Sequence, residues 1–307
     1  MEHPAALALT SLTVGYFVLA GCDVGLGMLM PHLARTAGDR RRLVAAIAPY
    51  FLGTEVWLVA TVGMMVGLFP EVESRLPAAV VLLVLLPGWL SRDAGLWLRS
   101  RSRTAAWRHA CDTAVVVGSW ALAVGLGLVL ADLLTGGRPG PATVFYTLTT
   151  VLLLALRGAA FGAERLVPPE HAAGRAESAD AAARLTRTLA RGGVVATALA
   201  TGAAFLPGAG PERLLPAAAG AAVLVAVLAV ASGLSGPRWS GTTSALAVAI
   251  PPLVTALSAG LPTPAAPPQT LALVGTTLLP LVPVMAVGQI WLYRLSRRPA
   301  STPGFFA

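Results

Sequence analysis

Long apolar stretches, each closed by a short polar, proline- or glycine-containing segment, run along the chain from one end to the other. A helix of about 20 apolar residues crosses the hydrocarbon core of a bilayer. By that measure nine spans are expected, at 6–33, 47–69, 77–98, 111–134, 142–163, 192–207, 213–234, 242–261 and 269–294. Pro70, Pro77, Pro141, Pro207, Pro237 and Pro262 stand at the ends of these stretches, where a residue lacking a backbone N–H punctuates the helical ladder. The pattern predicts an all-α integral membrane protein.

The arginines test that count. Arg35, Arg40, Arg41 and Arg42 follow the first span, and Arg99, Arg101, Arg103 and Arg108 the third. Arg165, Arg175, Arg184, Arg187 and Arg191 follow the fifth, Arg238 the seventh, and Arg294, Arg297 and Arg298 close the chain. The alternate loops hold only Arg75, Arg138 and Arg213. Basic residues collect in cytoplasmic loops, so nine spans fit with the N-terminus outside and the C-terminus cytoplasmic. This divides the chain into an N-terminal transmembrane half (1–164), a cytoplasmic loop (165–191) and a C-terminal transmembrane half with a basic tail (192–307). The stretch RLVPPEHAAGRAESADAAARLTRTLA (165–190) reads as a linker followed by a short surface helix.

Composition agrees. The chain is 56% hydrophobic and 12% charged, against about 25% charged in soluble domains. Its net charge of +8 is all arginine, with no lysine, a usage that fits a bacterium with GC-rich codons. Set in loops, that charge orients spans rather than grips nucleic acid, so no nucleic-acid partner is expected. Cys22 lies within the first span and Cys111 near the start of the fourth, and a structural disulfide is not expected. The first segment has neither a basic start nor a small-residue cleavage site, and reads as a permanent helix.

Two acids and two arginines fall inside spans. At about 1.5 Å per residue, Asp23 lies roughly 15 Å and Glu55 roughly 13 Å from the inner ends of their helices, at similar depth. Arg92 and Arg157 lie roughly 9–10 Å in. Ionisable residues at such depth are functional candidates, often as proton relays. The plainer reading is that acid–arginine pairs pin the helices together, with Arg92 and Arg157 as charge partners. A third leaves the acids uncharged, since burial and a second nearby acid both disfavour a carboxylate.

Around Asp23 stand Gly21, Gly25 and Gly27, with Gly53 near Glu55. Small residues at such spacing let helix backbones approach closely, a commoner use than making room for a flat ligand ring. His32 and His109 lie near span ends, and His3 and His171 in exposed segments. Haem within a bilayer needs axial ligands, and neither the histidines nor the six methionines form a paired set. There is no C-x-x-C-H, metal cluster, Walker loop or nucleophile elbow. No catalytic residue and no metal site is assigned. Trp57, Trp89, Trp97 and Trp291 read as interfacial or packing aromatics.

Two motifs carry a resemblance to a known family. Gly21-Cys22-Asp23-Val24-Gly25-Leu26-Gly27-Met28-Leu29 is similar to G-F-D-x-G-x-G-M-L, and Pro49–Leu58 (PYFLGTEVWL) to P-x-W-D-G-N-E/Q-V-W-L. Both are patterns of the second subunit of cytochrome bd-type quinol oxidases. Further stretches resemble the same family. They are GLFP (67–70), LSRDAGLWLRSR at Arg92 and Arg99, CDTAVVVGS at Asp112, Gly118 and Ser119, ALRGAAF, and the terminal LPLVPVMAVGQIWLYRLSRR. The likeness is strongest over 15–120 and weak over 165–240.

The resemblance implies nine helices in two four-helix bundles plus one peripheral helix. It implies a heterodimer with a haem-bearing subunit I that oxidises quinol and reduces oxygen to water, with haems b and d in that partner and none in this chain. It further implies a bound quinone, small accessory subunits, contact with membrane lipid, and a location in the bacterial cytoplasmic membrane. The second subunit is expected to stabilise the complex and to offer protons a route, here through Asp23 and Glu55. The sequence departs from the family at telling places. The acid of W-D-G-N is Leu52, its Trp is Phe51 and its Asn is Thr54. An acid before G-F-D is Ala20, the acid before F/Y-R is Trp97, and the His of H-G-A is Arg157. Two rival readings are a proton-coupled secondary transporter and a degenerate scaffold subunit with no proton role. The absence of intramembrane acids from the sixth span onward weighs against the transporter, whose sites recur in two halves.

Overall fold

The computed structural model describes residues 2–102, 104–166, 177–204, 211–233, 237–258 and 267–295, and among these the chain is helical, with no strand. In chain order the helices are α1 (Glu2–Met28), the short α2 (Met30–Leu33), α3 (Ala37–Leu68) and the short α4 (Pro70–Ser74). A composite third rod follows: α5 (Ala78–Val80), a π turn (Val81–Leu85), α6 (Leu86–Leu98) and a 3₁₀ turn (Arg99–Arg101). The remainder are α7 (Ala105–Thr135), α8 (Pro141–Arg165), α9 (Glu177–Ala204), α10 (Pro211–Gly233), α11 (Pro237–Ser258) and α12 (Pro268–Leu295).

Local chemistry explains the boundaries. Thr36 caps α3 and Asp39 answers it in a reciprocal capping box, which satisfies two of the orphan N–H groups of the first turn. Thr104 accepts from the Trp107 N–H at the start of α7. That helix stops at Gly136, whose φ of 67° is left-handed, the conformation that glycine adopts without strain. The π turn precedes Pro87, which has no N–H to give to the carbonyl one turn back; the Leu86 N–H reaches Val81 instead.

Among the described residues, eight helices are long and apolar enough to cross a membrane. The sixth expected span, 192–207, falls on α9, which is not one of the eight. It carries Arg184, Arg187 and Arg191, and the apolar stretch after them runs on past Ala204, beyond the described residues. The stretch read as linker and short surface helix differs too. From Glu177 it is part of one continuous helix, with Ala179, Ala182, Thr186 and Ala190 buried in the packing of α9 on α8. Small residues there fit a close helix contact, and the arginines fall on the exposed side. Pro168, Pro169, Pro207, Pro262, His171, Arg103, Arg175, Arg297 and Arg298 lie outside the described residues.

α1 sits at the centre, against α3, α7, α8 and α11. Several of its glycines are points of close approach by its neighbours. A Cβ on Gly25 would stand 2.1 Å from the Leu154 carbonyl oxygen, and one on Gly158 would stand 2.1 Å from the Gly25 carbonyl carbon. On Gly21 it would meet the Arg157 stem at 2.6 Å, and on Gly27 the Ser119 hydroxyl at 2.3 Å. The space beside the ladder is filled by α8 and α7. Gly53 similarly faces the Gln289 amide of α12 at 2.6 Å.

Replacing Gly158 with Leu is therefore expected to cost at least the roughly 1–3 kcal/mol of core overpacking. Gly63→Leu, where a side chain would meet nothing within 4 Å, is expected to stay within about 0.5 kcal/mol. Thermal unfolding in detergent compares the two.

Candidate functional site: a buried charge cluster around Arg92

Arg92, on α6, is 1% exposed and gathers acids from three helices. Its Nη2 lies 2.9 Å from Asp23 Oδ2 on α1. Its Nη1 lies 3.1 Å from Asp93 Oδ1 on α6 and 3.9 Å from Glu55 Oε1 on α3. Asp23 takes a hydrogen bond from the Val24 N–H at 2.6 Å. Glu55 accepts one from the Trp89 indole N–H at 3.0 Å. The Nη2–Oδ2 contact is an ion pair in which no N–H aims at the oxygen, so Asp23 Oδ2, Arg92 Nη2 and Arg92 Nε remain without hydrogen-bond partners among the described residues. The guanidinium also lies 5.2 Å from the Phe51 ring centroid.

Burial grades across the cluster. The side chains of Asp23 and Arg92 are 0% and 2% exposed, against 20% for Glu55 and 16% for Asp93. Gly118 of α7 presses on the Arg92 backbone, where a Cβ would stand 2.6 Å from the Arg92 nitrogen. Thr54 and Tyr16 adjoin Asp23.

The structure thus brings Asp23, Glu55 and Arg92 together and leaves Arg157 elsewhere. Arg157 donates to the Gly241 carbonyl at 2.7 Å and the Ser244 hydroxyl at 3.2 Å. Its stem runs past Gly21 toward α11, so it pins α8 to α11, and among the described residues no ion pair joins it to Asp23 or Glu55. Sequence reasoning missed Asp93 and the role of Trp89. Asp93 stands directly after Arg92 inside the same span, which was the available signal. Trp89 was read as a packing aromatic, and its bond to Glu55 depends on a tertiary contact between α6 and α3.

Two further polar groups lie toward the Arg99 end. Arg99 Nε donates to Asp112 Oδ1 at 2.7 Å, with Arg40 3.5 Å from the other oxygen. This ties the start of α3, the end of α6 and the start of α7. Arg165 donates to the Tyr50 hydroxyl and to the Tyr293 carbonyl, among the rings of Tyr50, Phe161 and Tyr293. Along α1, α3 and α6, buried apolar residues including Leu26, Leu29, Ile47, Phe51 and Leu96 stand on the Arg99 side of Asp23, Glu55 and Arg92. The Phe51 and Trp97 rings meet edge to face at 6.3 Å.

No group of three or more His, Cys, Asp or Glu placed to hold a metal occurs among the described residues. His32 and His109 are exposed near helix ends, a poor fit to axial haem ligation, which needs donors facing a common buried plane. Cys22 and Cys111 are free and buried.

Fold and site together define a helical, multi-pass membrane protein that gathers three carboxyls around the Arg92 guanidinium within its apolar body. The sequence pattern of the family "Cytochrome bd terminal oxidase subunit II" matches residues 1–296, and the chain belongs to that family. It is 30% identical over 127 residues to the cytochrome bd-I ubiquinol oxidase subunit 2 of Escherichia coli strain K12, a match covering 41% of this chain and 34% of that protein. Against the cytochrome bd ubiquinol oxidase subunit 2 of Bacillus subtilis strain 168 it is 30% identical over 131 residues, 41% of this chain and 38% of that one. The chain's match thus spans little more than a third of these relatives. A chain in the structure of bd oxidase from Geobacillus thermodenitrificans superposes with a TM-score of 0.68 at 18% identity, covering 94% of this chain and 96% of that one, a likeness of fold. Family and apolar helices make this a multi-pass protein of the bacterial cytoplasmic membrane.

Truncating one partner of a buried ion pair costs about 3–5 kcal/mol, whereas replacing both with apolar groups is often neutral. Arg92→Met is accordingly expected to destabilise the protein by about that amount. Adding Asp23→Leu is expected to recover most of the loss, as read by thermal unfolding of the purified protein.

Proposed function

We propose that this chain is the haem-free second subunit of a bd-type quinol:oxygen oxidoreductase. In this reading it braces a haem-bearing subunit I and contributes the Arg92 cluster to proton handling. The observation that carries the reading is the Asp23–Arg92–Glu55 cluster, buried in a chain whose family match runs almost end to end. The haems b and d of the partner supply the electron path from quinol to oxygen. This chain's residues act on position and protons: Arg92 holds Asp23 and Glu55 at one depth, and the glycines of α1 keep α8 and α7 closed around them.

The nine-span topology belongs to the same proposal, with α9 as the sixth span, the N-terminus outside and the arginine-rich ends in the cytoplasm. Protons consumed in reducing oxygen then come from the cytoplasm and quinol protons leave outside, which builds a proton-motive force without a pump. A scaffold role without protons is the second reading. It is favoured by Leu52, which stands at the family's acidic position and is 56% exposed on an apolar face.

Affinity capture of the tagged chain from native membranes is expected to bring down a haem-bearing subunit with a bd-type difference spectrum and quinol oxidase activity. Capture without haem from well-expressing membranes would overturn the oxidase reading. In the assembled complex, Asp23→Asn and Glu55→Gln are expected to slow oxygen consumption several-fold with the haem spectrum unchanged. An unchanged rate would favour the scaffold.

A further inference from the structure

Three carboxyls surround one guanidinium. If all were ionised, the set would carry a net charge of −2, in a part of the molecule where unbalanced charge is costly. Protons are the natural balance, and the geometry says which acids exchange them. Asp23 is sealed at 0% exposure, fixed by the Val24 N–H and set against Arg92 Nη2. Asp93 and Glu55 share the other nitrogen, Nη1, and are the two acids with exposed surface. The unpartnered Arg92 Nη2 and Nε and Asp23 Oδ2 leave donors and an acceptor within the cluster, where a water can bridge carboxyls that do not touch.

The direction of exchange follows from what flanks the cluster. Along the helices toward the Arg99–Asp112–Arg40 group stand Phe51, Leu96, Leu26 and Leu29, all buried, with Trp97 against Phe51. Sideways, α3 and α6 meet through side chains, Trp89 with Glu55 and Phe51 with Trp97. Exposed apolar residues lie on both helices: Leu52, Val56 and Val59 on α3, and Leu86, Leu90 and Trp97 on α6.

We propose that Asp93 and Glu55 form a proton-exchanging pair. One carboxyl releases the proton that the other, or a bridging water, takes up, and the pair communicates sideways through the α3–α6 crevice rather than along the helices past Phe51. The groups facing the pair are Arg92 and Trp89 on α6, Asp23 and Tyr16 on α1, and Thr54 on α3. Lipid hydrocarbon accepts no proton, so the exchange needs a polar group of a protein laid over the crevice. That last step alone rests on the reading of this chain as a second subunit, with subunit I as the covering partner.

A membrane-soluble carbodiimide, which adds to protonated carboxyls, tests this when compared with a water-soluble one. With the full chain expressed alone in membranes, the soluble-in-lipid reagent is expected to modify Asp93 or Glu55 and to leave Asp23 unmodified, as mapped by peptide mass spectrometry. The adduct is expected to disappear in the Asp93→Asn, Glu55→Gln double variant and to return with Asp93→Glu alone. In the assembled complex the same sites are expected to be protected. No adduct from the membrane-soluble reagent, or equal modification by the water-soluble one, would overturn the sideways pair. An adduct on the chain alone that persists unchanged in a haem-bearing complex would overturn transfer to the partner. The haem spectrum of the captured complex is read separately, so failure of the subunit reading is told apart from failure of the pair.

Discussion

A guanidinium in an apolar interior must be matched by negative charge close at hand, and the meeting of α1, α3 and α6 is arranged around that demand for Arg92. The ion pair to Asp23 requires α1 and α6 to sit within a side chain's reach. α6 is pressed onto α7 at Gly118 and Gly88, where backbones come too near for any Cβ. α1 is held against α8 by Gly25 and Gly158 in the same way. With both backbones fixed, the long Arg92 side chain has only the space between α1 and α3, where Asp23 and Glu55 are. The glycines and the charges are one device: close approach of the backbones buries Arg92 and Asp23, and a buried charge needs its partner.

The Arg92 cluster, the Arg99–Asp112–Arg40 tie and the Arg165–Tyr50–Tyr293 group are three distinct sets of polar contacts set among buried Leu, Ile and Phe side chains. Each set ties different helices: α1, α3 and α6 in the first, α3, α6 and α7 in the second, α8, α3 and α12 in the third. Polar contacts of this kind specify which helices meet, since apolar surface alone does not tell one neighbour from another in a membrane.

Much of this was legible in the residues, and the gaps have physical reasons. Asp23, Glu55 and Arg92 stood out because charge in a 20-residue apolar run is costly and equal depth can be counted along a helix. The packing role of the glycines followed from their spacing. Depth, however, says nothing about azimuth. Arg157 counts to a similar depth along its helix but faces Gly241 and Ser244, and no periodicity along α8 fixes which neighbour it meets. Asp93 was not singled out, since its place in a set drawn from three helices depends on how α1, α3 and α6 pack. The start of α9 was misjudged because its arginines resemble loop charge, while its alanines bury against α8.

The departures from the family pattern become coherent in this geometry. Leu52 stands where the resemblance puts the family's acid and is exposed on α3. Glu55, three residues on, is about one helical turn along the same side, and its carboxyl lies within the crevice against Trp89 and Arg92. Asp93 supplies a second carboxyl from the opposite wall. Where the family pattern has an acid, Trp97 closes the helical direction with Phe51. Polarity withdrawn from the end of the helices thus reappears on the two walls of the crevice. Because an apolar replacement of a buried ionic set is often at least as stable, stability alone does not account for three carboxyls gathered around one buried arginine.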